Sequence, residues 1–166
     1  MGFLKAKGDE VFIDVGAHIG KYAITVAKIL KDGLVLAFEP NPNNYRILLK
    51  NVKLNRLKNV IALKLAAWKS STVLKLYLSE KSGHHSLKDP HEDFVYVYGK
   101  PIDEVVNELG LKRVDWVKID VEGAELEVVK GLRRTLERFR PQIIIEARNK
   151  SVFKLLEELN YTISLI

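Results

Sequence analysis

Two clusters of acidic and small residues are placed to do chemistry in this sequence. The first, Asp14-Val-Gly16-Ala17-His18-Ile-Gly20, closes an apolar run that begins at Val11. The second, Lys118-Ile-Asp120-Val-Glu122-Gly123, closes a strand-like stretch that begins at Val114. Between them, Glu39 ends a second apolar run and is followed by Pro40 and Asn41. Glycines at a strand-to-helix corner allow a tight turn and let a ligand approach backbone N–H groups at the positive end of a helix. Carboxylates at strand ends attract cations, accept hydrogen bonds from hydroxyls or take a proton. Glu39 stands 23 positions after Gly16, where an acidic residue accepts from both hydroxyls of a ribose.

Those features alone fit a nicotinamide cofactor as well as other adenosine-bearing ligands. The turn separates them. A dinucleotide fingerprint, G-x-G-x-x-G, crowds a pyrophosphate onto the start of the helix. Here the pattern is Asp14-x-Gly16-x-x-x-Gly20, with a carboxylate where a diphosphate would be repelled. Asp14 instead suits a ligand carrying an ammonium and a sulfonium. Asp120, Glu122 and Glu146 could together hold a hard divalent cation, and His84, His85 and His91 form a second candidate set. Neither set has fixed ligand spacing, so no metal ligand is assigned.

The elements that must position these residues follow from the hydrophobic pattern. Val11–Val15 reads as a buried strand. A helix over 19–31 carries Ile19, Tyr22, Val26 and Ile29 on its inward stripe. Leu34–Glu39 is a second strand. Asn41-Pro42 then reads as an N-cap and first-turn proline opening a helix with Tyr45, Leu48, Leu49 and Val52 inward. Val60–Trp68 is a third strand. The strand–helix alternation predicts parallel pairing through helical crossovers. The alternating segments 72–79 and 94–99 flank a polar loop holding His84, His85, Ser86 and His91, and read as a β-insertion in hairpin form. A short helix spans 101–109, a fourth parallel strand 114–121 and one helix 124–138. The fifth strand, 142–147, is an unbroken apolar run and is therefore expected at the centre of the sheet. Ser151 is expected to cap a helix through Leu159, and 161–166 reads as a sixth strand on which the chain stops. Lys118 lies mid-strand in a sheet covered on both faces, so it needs a buried acidic partner, Glu146 or another acid nearby.

Composition sets the bounds. The chain has 166 residues, the size of a single domain with a substantial core, with no repeat and no low-complexity segment. No apolar stretch reaches membrane-spanning length, the first residues lack the apolar core of a signal peptide, and there is no cysteine. These features fit a cytoplasmic protein. The net charge of +6 is lopsided, with 14 Lys/Arg against 6 Asp/Glu in residues 1–83 and 13 against 15 thereafter. No aromatic residues interleave with Arg46, Lys50, Lys53 and Arg56 to stack bases, so these read as the solvated side of one helix.

The sequence resembles the FkbM family of S-adenosylmethionine-dependent methyltransferases. Four blocks carry the resemblance: VFIDVGAHIG, FEPNPNNYRILLKN, VDWVKIDVEGAELEVVKGL and PQIIIEA. The third is the most specific, and Ser86-Leu87 resembles the family's loop between the third and fourth parallel strands. The resemblance implies an α/β, three-layer, doubly wound, mostly parallel sheet of Rossmann-like type. With the β-insertion, and with the chain stopping at strand six, the seventh strand of the family fold is not expected here. It implies S-adenosylmethionine as cofactor and methyl transfer to a hydroxyl, commonly on a sugar or natural product. By position, Asp14, Gly16, Ala17, His18 and Gly20 would hold the methionine moiety. Glu39 would bind the ribose with Asn41 beside it, and Ala67 and Trp68 would border the adenine. Asp120 and Glu122 would face the reacting methyl group, Asp120 as first candidate for the base and also within reach of the cofactor's amino group. Two other readings stand beside this one: an RNA methyltransferase, suggested by the basic N-terminal half, and a non-catalytic cofactor-binding domain.

Overall fold

The computed structural model describes residues 8–78, 87, 93–147 and 149–164. His84, His85, Ser86 and His91 lie outside the described residues. In chain order the elements are β1 (Val11–Val15), α1 (Lys21–Ile29), β2 (Leu34–Phe38), α2 (Pro42–Leu54), β3 (Val60–Leu63), β4 (Ala66–Ala67), β5 (Thr72–Tyr77), β6 (Phe94–Lys100), α3 (Ile102–Glu108), β7 (Trp116–Asp120), α4 (Glu125–Gly131), α5 (Arg133–Phe139), β8 (Gln142–Glu146) and α6 (Lys150–Glu158).

Five strands form a sheet in the order β3-β2-β1-β7-β8, every neighbouring pair parallel. The order reverses between β1 and β7, which in open parallel sheets marks the crevice where ligands bind. β1 and β7 are buried nearly throughout because helices cover both faces. One core gathers Ile13, Val15, Leu36, Phe38, Val117 and Ile119 with Val128, Val129 and Leu136 of α4 and α5. The other packs Phe12, Val35 and Ala37 against Ala23, Val26 and Ala27 of α1 and Leu48 of α2. The expected three-layer α/β architecture is therefore present.

A second, three-stranded sheet in the order β4-β6-β5 is the β-insertion. β5 and β6 pair antiparallel, Val73 opposite Tyr98 and Tyr77 opposite Phe94. One face of this ribbon buries Leu76 and Val97. The other leaves Tyr96 and Tyr98 about two-thirds exposed, at 66% and 68%.

Several sequence expectations are corrected. Val60–Trp68 is not one strand. The Glu39 amide donates to the Leu63 carbonyl as the last bond to β2, the chain turns at Lys64-Leu65, and Ala66-Ala67 joins the second sheet. The helix expected over 124–138 breaks at Leu132 into α4 and α5. The buried carboxylate of Asp103, on α3, accepts from the Arg134 and Thr135 amides and from the Thr135 hydroxyl, satisfying the new helix start from outside it. β8 lies at the edge of the sheet among the described strands, not at its centre, and its isoleucines are half-buried. Residues 161–164 form no strand, so the expected sixth strand is absent among the described residues. α6 is capped by Asn149, whose side chain accepts from the Ser151 amide, and not by Ser151. On α1 the buried face is Ala23, Val26 and Ala27, while Ile19, Tyr22 and Ile29 are substantially exposed. Small residues there let the helix lie close to the sheet and turn Tyr22 toward the strand ends. On α2, Leu48 is buried and Leu49 exposed.

Candidate active site

The β1 turn is built from three contacts. Gly16 and Ala17 donate their amides to the Phe38 carbonyl, at 3.1 and 2.9 Å, tying the end of β1 to the end of β2. Gly16 has φ +78, and a Cβ there would lie 2.0 Å from the Asp120 carbonyl oxygen. The turn thus rests directly on the end of β7, and only glycine meets both demands. His18 takes a left-handed backbone, φ 52, held by its amide donating to Glu39 Oε2 at 2.8 Å. Glu39 Oε1 accepts from the Asn41 amide at 2.8 Å. Asn41 in turn caps α2, its side chain accepting from Asn43 and Asn44. One carboxylate therefore organises both turns at the strand ends and keeps lone pairs for a ligand.

These turns, the end of β7 and the second sheet enclose a cavity of about 270 Å³, at the lower end of the range for small-molecule sites. Of the residues singled out in the sequence, Gly16, Ala17, His18, Glu39, Ala67, Asp120 and Glu122 line it. Asp14 lies beneath, fully buried. Gly20, Asn41 and Trp68 do not line it. Gly20 is close-packed on Leu48, where a Cβ would lie 2.5 Å from Cδ1. The Trp68 amide donates to the Lys100 carbonyl at the start of the second sheet. Sequence reasoning missed Tyr22, Asn44, Leu76 and Val121 as lining residues. Tyr22 was hidden by its place on an apparently inward stripe, and Leu76 by the insertion's folding back over the strand ends. Leu87 also lines the cavity, and its partner in the family-like pair, Ser86, lies outside the described residues.

The electrostatics centre on Lys118. Its side chain is 7% exposed, and its ammonium lies 3.2 Å from Asp14 Oδ1 and 3.4 Å from Asp120 Oδ2. It donates to the Gly16 carbonyl at 3.2 Å and lies 4.9 Å from the centroid of the Tyr22 ring. The expected buried partner is thus Asp14 on the neighbouring strand, in register with Lys118, and Glu146 is exposed at the sheet edge. Asp14 accepts no well-aligned hydrogen bond at either oxygen. The Lys118 ammonium offsets its charge, and the Ala23 amide faces it from α1. Burial raises the Asp14 pKa above its ordinary value against the opposing pull of Lys118. Burial likewise raises Glu39, opposed by the amides of Asn41 and His18. His18 is lowered, first by burial and then by Lys118, with Asp120 pulling the other way. Among the described residues no group of three or more His, Asp or Glu is gathered to hold a metal, and none of the helices is long and apolar enough to cross a membrane.

A buried carboxylate, a glycine cradle that a Cβ would fill and an acid at the end of β2 are thus gathered at the strand ends. The fold is a Rossmann-like, mostly parallel α/β sheet. The chain matches the methyltransferase FkbM domain over residues 14–163, and it belongs to that family, with S-adenosylmethionine as its cofactor. Hexuronic acid methyltransferase AglP of Haloferax volcanii is 32% identical over 158 residues, covering 93% of this chain and 64% of that protein. Methyltransferase sdnD of Sordaria araneosa is 31% identical over 153 residues, covering 72% of this chain and 59% of that protein. The chain spans about three-fifths of the length of these relatives. In solved structures, precorrin-6y C5,15-methyltransferase of Geobacter metallireducens superposes with a TM-score of 0.58 at 19% identity, over 93% of this chain and 65% of that one. That likeness shows the fold.

Proposed function

We propose that this chain methylates an oxygen of a small, sugar-like acceptor, most simply a hydroxyl. The observation that carries the reading is the position of Asp120. Its carboxylate is 43% exposed, lines the cavity, and projects from the strand on which the glycine turn rests. S-adenosylmethionine, when bound, supplies an activated methyl group together with its own leaving group. The chain then has two tasks, to align an acceptor oxygen and to remove its proton.

Gly16, Ala17 and His18 are assigned to the methionine end of the cofactor, with Asp14 offsetting its positive charge from below. Glu39 is assigned to the ribose, Asn41 and Asn44 holding its carboxylate in place. Ala67 is assigned to the adenine side, with Trp68 behind it. Asp120 takes the acceptor's proton, and Glu122, at the turn into α4, orients the acceptor. Leu76 and Leu87 close the cavity with apolar surface and exclude water from the oxygen. The hexuronic acid specificity named for the archaeal relative supports a sugar acid as acceptor class.

The test is formation of S-adenosylhomocysteine with a panel of neutral sugars, uronic acids and polyols, followed by the mass of the product. The expected result is turnover with at least one member and a mass gain of one methylene unit. Asp120→Ala should lower turnover by about 10²–10⁴-fold while S-adenosylhomocysteine still binds. Full activity in that variant would remove Asp120 from the chemistry. Turnover on RNA alone would move the acceptor to nucleic acid, and binding without turnover on any acceptor would favour a non-catalytic domain.

A further inference from the structure

The cavity carries its charges unevenly. On the β7 side Lys118 lies against both Asp14 and Asp120, so its ammonium is already matched and has nothing left for an acid group on a ligand. On the α1 side stands a second cation, Lys21, which also lines the cavity. Among the described residues no carboxylate lies within ion-pair distance of the Lys21 ammonium. Its neighbour is the Tyr22 ring, whose centroid is 6.0 Å away.

Lys21 also has the wrong charge for its place in the helix. It is the first residue of α1, where the helix end is itself positive and an acidic side chain is favoured. No acidic residue stands in that first turn, and the N-cap, Gly20, has no side chain to offer. From beneath, the Ala23 amide faces Asp14, but Asp14 is fully buried and shared with Lys118. The outer part of the helix start thus holds two like charges, the dipole and the ammonium, and an anion bound there would relieve both. Tyr22 comes next and lines the same cavity, and its hydroxyl has no hydrogen-bond partner among the described residues. One ammonium and one phenol supply charge-assisted donors for the two oxygens of a carboxylate. A phosphate ester is a poorer match. It would set about −1.5 to −2 of charge against one unmatched cation, with Asp120 and Glu122 lining the same cavity.

We infer that Lys21 and Tyr22 form a carboxylate-binding edge of the acceptor site, selecting an acceptor that carries an acid group besides the oxygen to be methylated. The inference rests on the proposed transfer to a sugar-like acceptor, which it narrows to uronic acids and related sugar acids. The two sides of the cavity then orient such a molecule. Its carboxylate is drawn toward α1, and its hydroxyl is left to face Asp120, where like charge keeps the acid group away. A neutral sugar gains neither effect, so discrimination comes from one attractive and one repulsive wall. Lys21 acts as a fixed charge, and no bond or proton changes hands there.

The test compares glucuronate and galacturonate with their neutral amides, which keep the ring, its hydroxyls and the size but remove the charge. Binding to the protein loaded with S-adenosylhomocysteine is measured by calorimetry at neutral pH, so no turnover is needed. The expected result is tighter binding of at least one uronate than of its amide, by about tenfold, with the difference shrinking as salt is raised. Lys21→Met should bring the acid-to-amide ratio close to unity, Lys21→Arg should restore most of it, and Tyr22→Phe should lower it in part. A purely structural role for Lys21 would weaken acid and amide alike and leave the ratio unchanged. Equal binding of acid and amide by the wild type, or no measurable binding of either, would overturn the inference. So would a ratio that survives Lys21→Met, or a loss in that variant confined to S-adenosylhomocysteine affinity, which would put the ammonium on the cofactor's own carboxylate. Turnover judges the wider reading separately. Acid preference without methyl transfer to any acceptor would sustain the edge and remove the transfer, and transfer to neutral sugars without acid preference would do the reverse.

Discussion

Gly131→Ala separates two opposing effects, and the structure decides the sign. Gly131 is the last residue of α4. Alanine is a better helix former than glycine by about 0.8–1 kcal/mol, so propensity alone predicts a more stable protein. A Cβ at Gly131, however, would lie 2.0 Å from the Trp68 carbonyl oxygen, 2.9 Å from its carbon and 3.2 Å from Lys69 Cα. A carbon and a carbonyl oxygen settle no closer than about 3.3 Å, so the two backbones must part by more than about 1 Å. Overpacking of this kind costs about 1–3 kcal/mol, and the upper end applies because the obstacle is backbone and not the tip of a flexible side chain. The net expectation is destabilisation by about 1–2 kcal/mol, or a fall of about 2–4 °C in melting temperature for each kcal/mol. Urea unfolding of the two proteins reads the difference. Because the displaced segment leads out of β4, whose Ala66 and Ala67 line the cavity, affinity for S-adenosylhomocysteine should fall in the same variant. An alanine variant as stable as the wild type, or more so, would refute the reasoning.

The other expectations concern charges and caps. Asp103→Ala strips three hydrogen bonds from the start of α5 and should cost about 1–3 kcal/mol in urea unfolding. Asp103→Asn, which keeps an acceptor, should recover part of that loss. Asn41→Ala removes a cap with two amides on it and should cost about 1 kcal/mol in urea unfolding, while the Asn41 backbone amide that donates to Glu39 remains. Burial raises the Asp14 pKa in the folded chain, so the protonated acid is the form that folding favours. That contribution is fully present below the unfolded pKa and is lost as pH rises through the folded one. In the cofactor-free protein the stability of Asp14→Asn relative to wild type should therefore improve as pH rises from 4 toward neutrality; a difference independent of pH would count against a strained Asp14. Glu39→Gln keeps the shape of the side chain but removes the charge that its amide donors face, and calorimetry should show a clear loss of affinity for S-adenosylhomocysteine.

Much of the site was legible in the sequence because it sits where a regular pattern ends. β1, β2 and β7 are mostly apolar runs, so Asp14, Glu39 and Asp120, at or next to their C-terminal ends, could be placed there without coordinates. Asn41-Pro42 was legible as a helix start because cap and proline act within one turn of chain. What stayed hidden depends on contacts between distant segments. The break at Leu132 is stabilised by Asp103, some thirty residues earlier, and no local signal records it. Lys64-Leu65 lies within an apolar run, yet the chain changes sheets there because β6 offers Ala66-Ala67 a partner. Ile143–Ile145 has the composition of a buried strand and lies at the edge among the described strands, since apolarity reports how much a strand is covered and not how many neighbours it has. Tyr22 reads as inward by helical spacing alone. The packing of α1 through alanines rotates that face by a fraction of a turn and brings the ring over Lys118.

The order β3-β2-β1-β7-β8 has a consequence for how the protein is made. β1 is synthesised about a hundred residues before β7, its partner on one side. At ordinary synthesis rates that is an interval of roughly 5–20 s. Throughout it β1 can pair with β2 on one side only, and the opposite edge, apolar and flat, is open to any other extended chain. The glycine turn is equally unfinished, because the carbonyl of Asp120 against which Gly16 rests has not yet been synthesised. Half of the ligand crevice therefore exists as a nascent-chain surface before the other half arrives. In the finished fold β7 covers that edge and supplies the carbonyl on which the glycine turn rests.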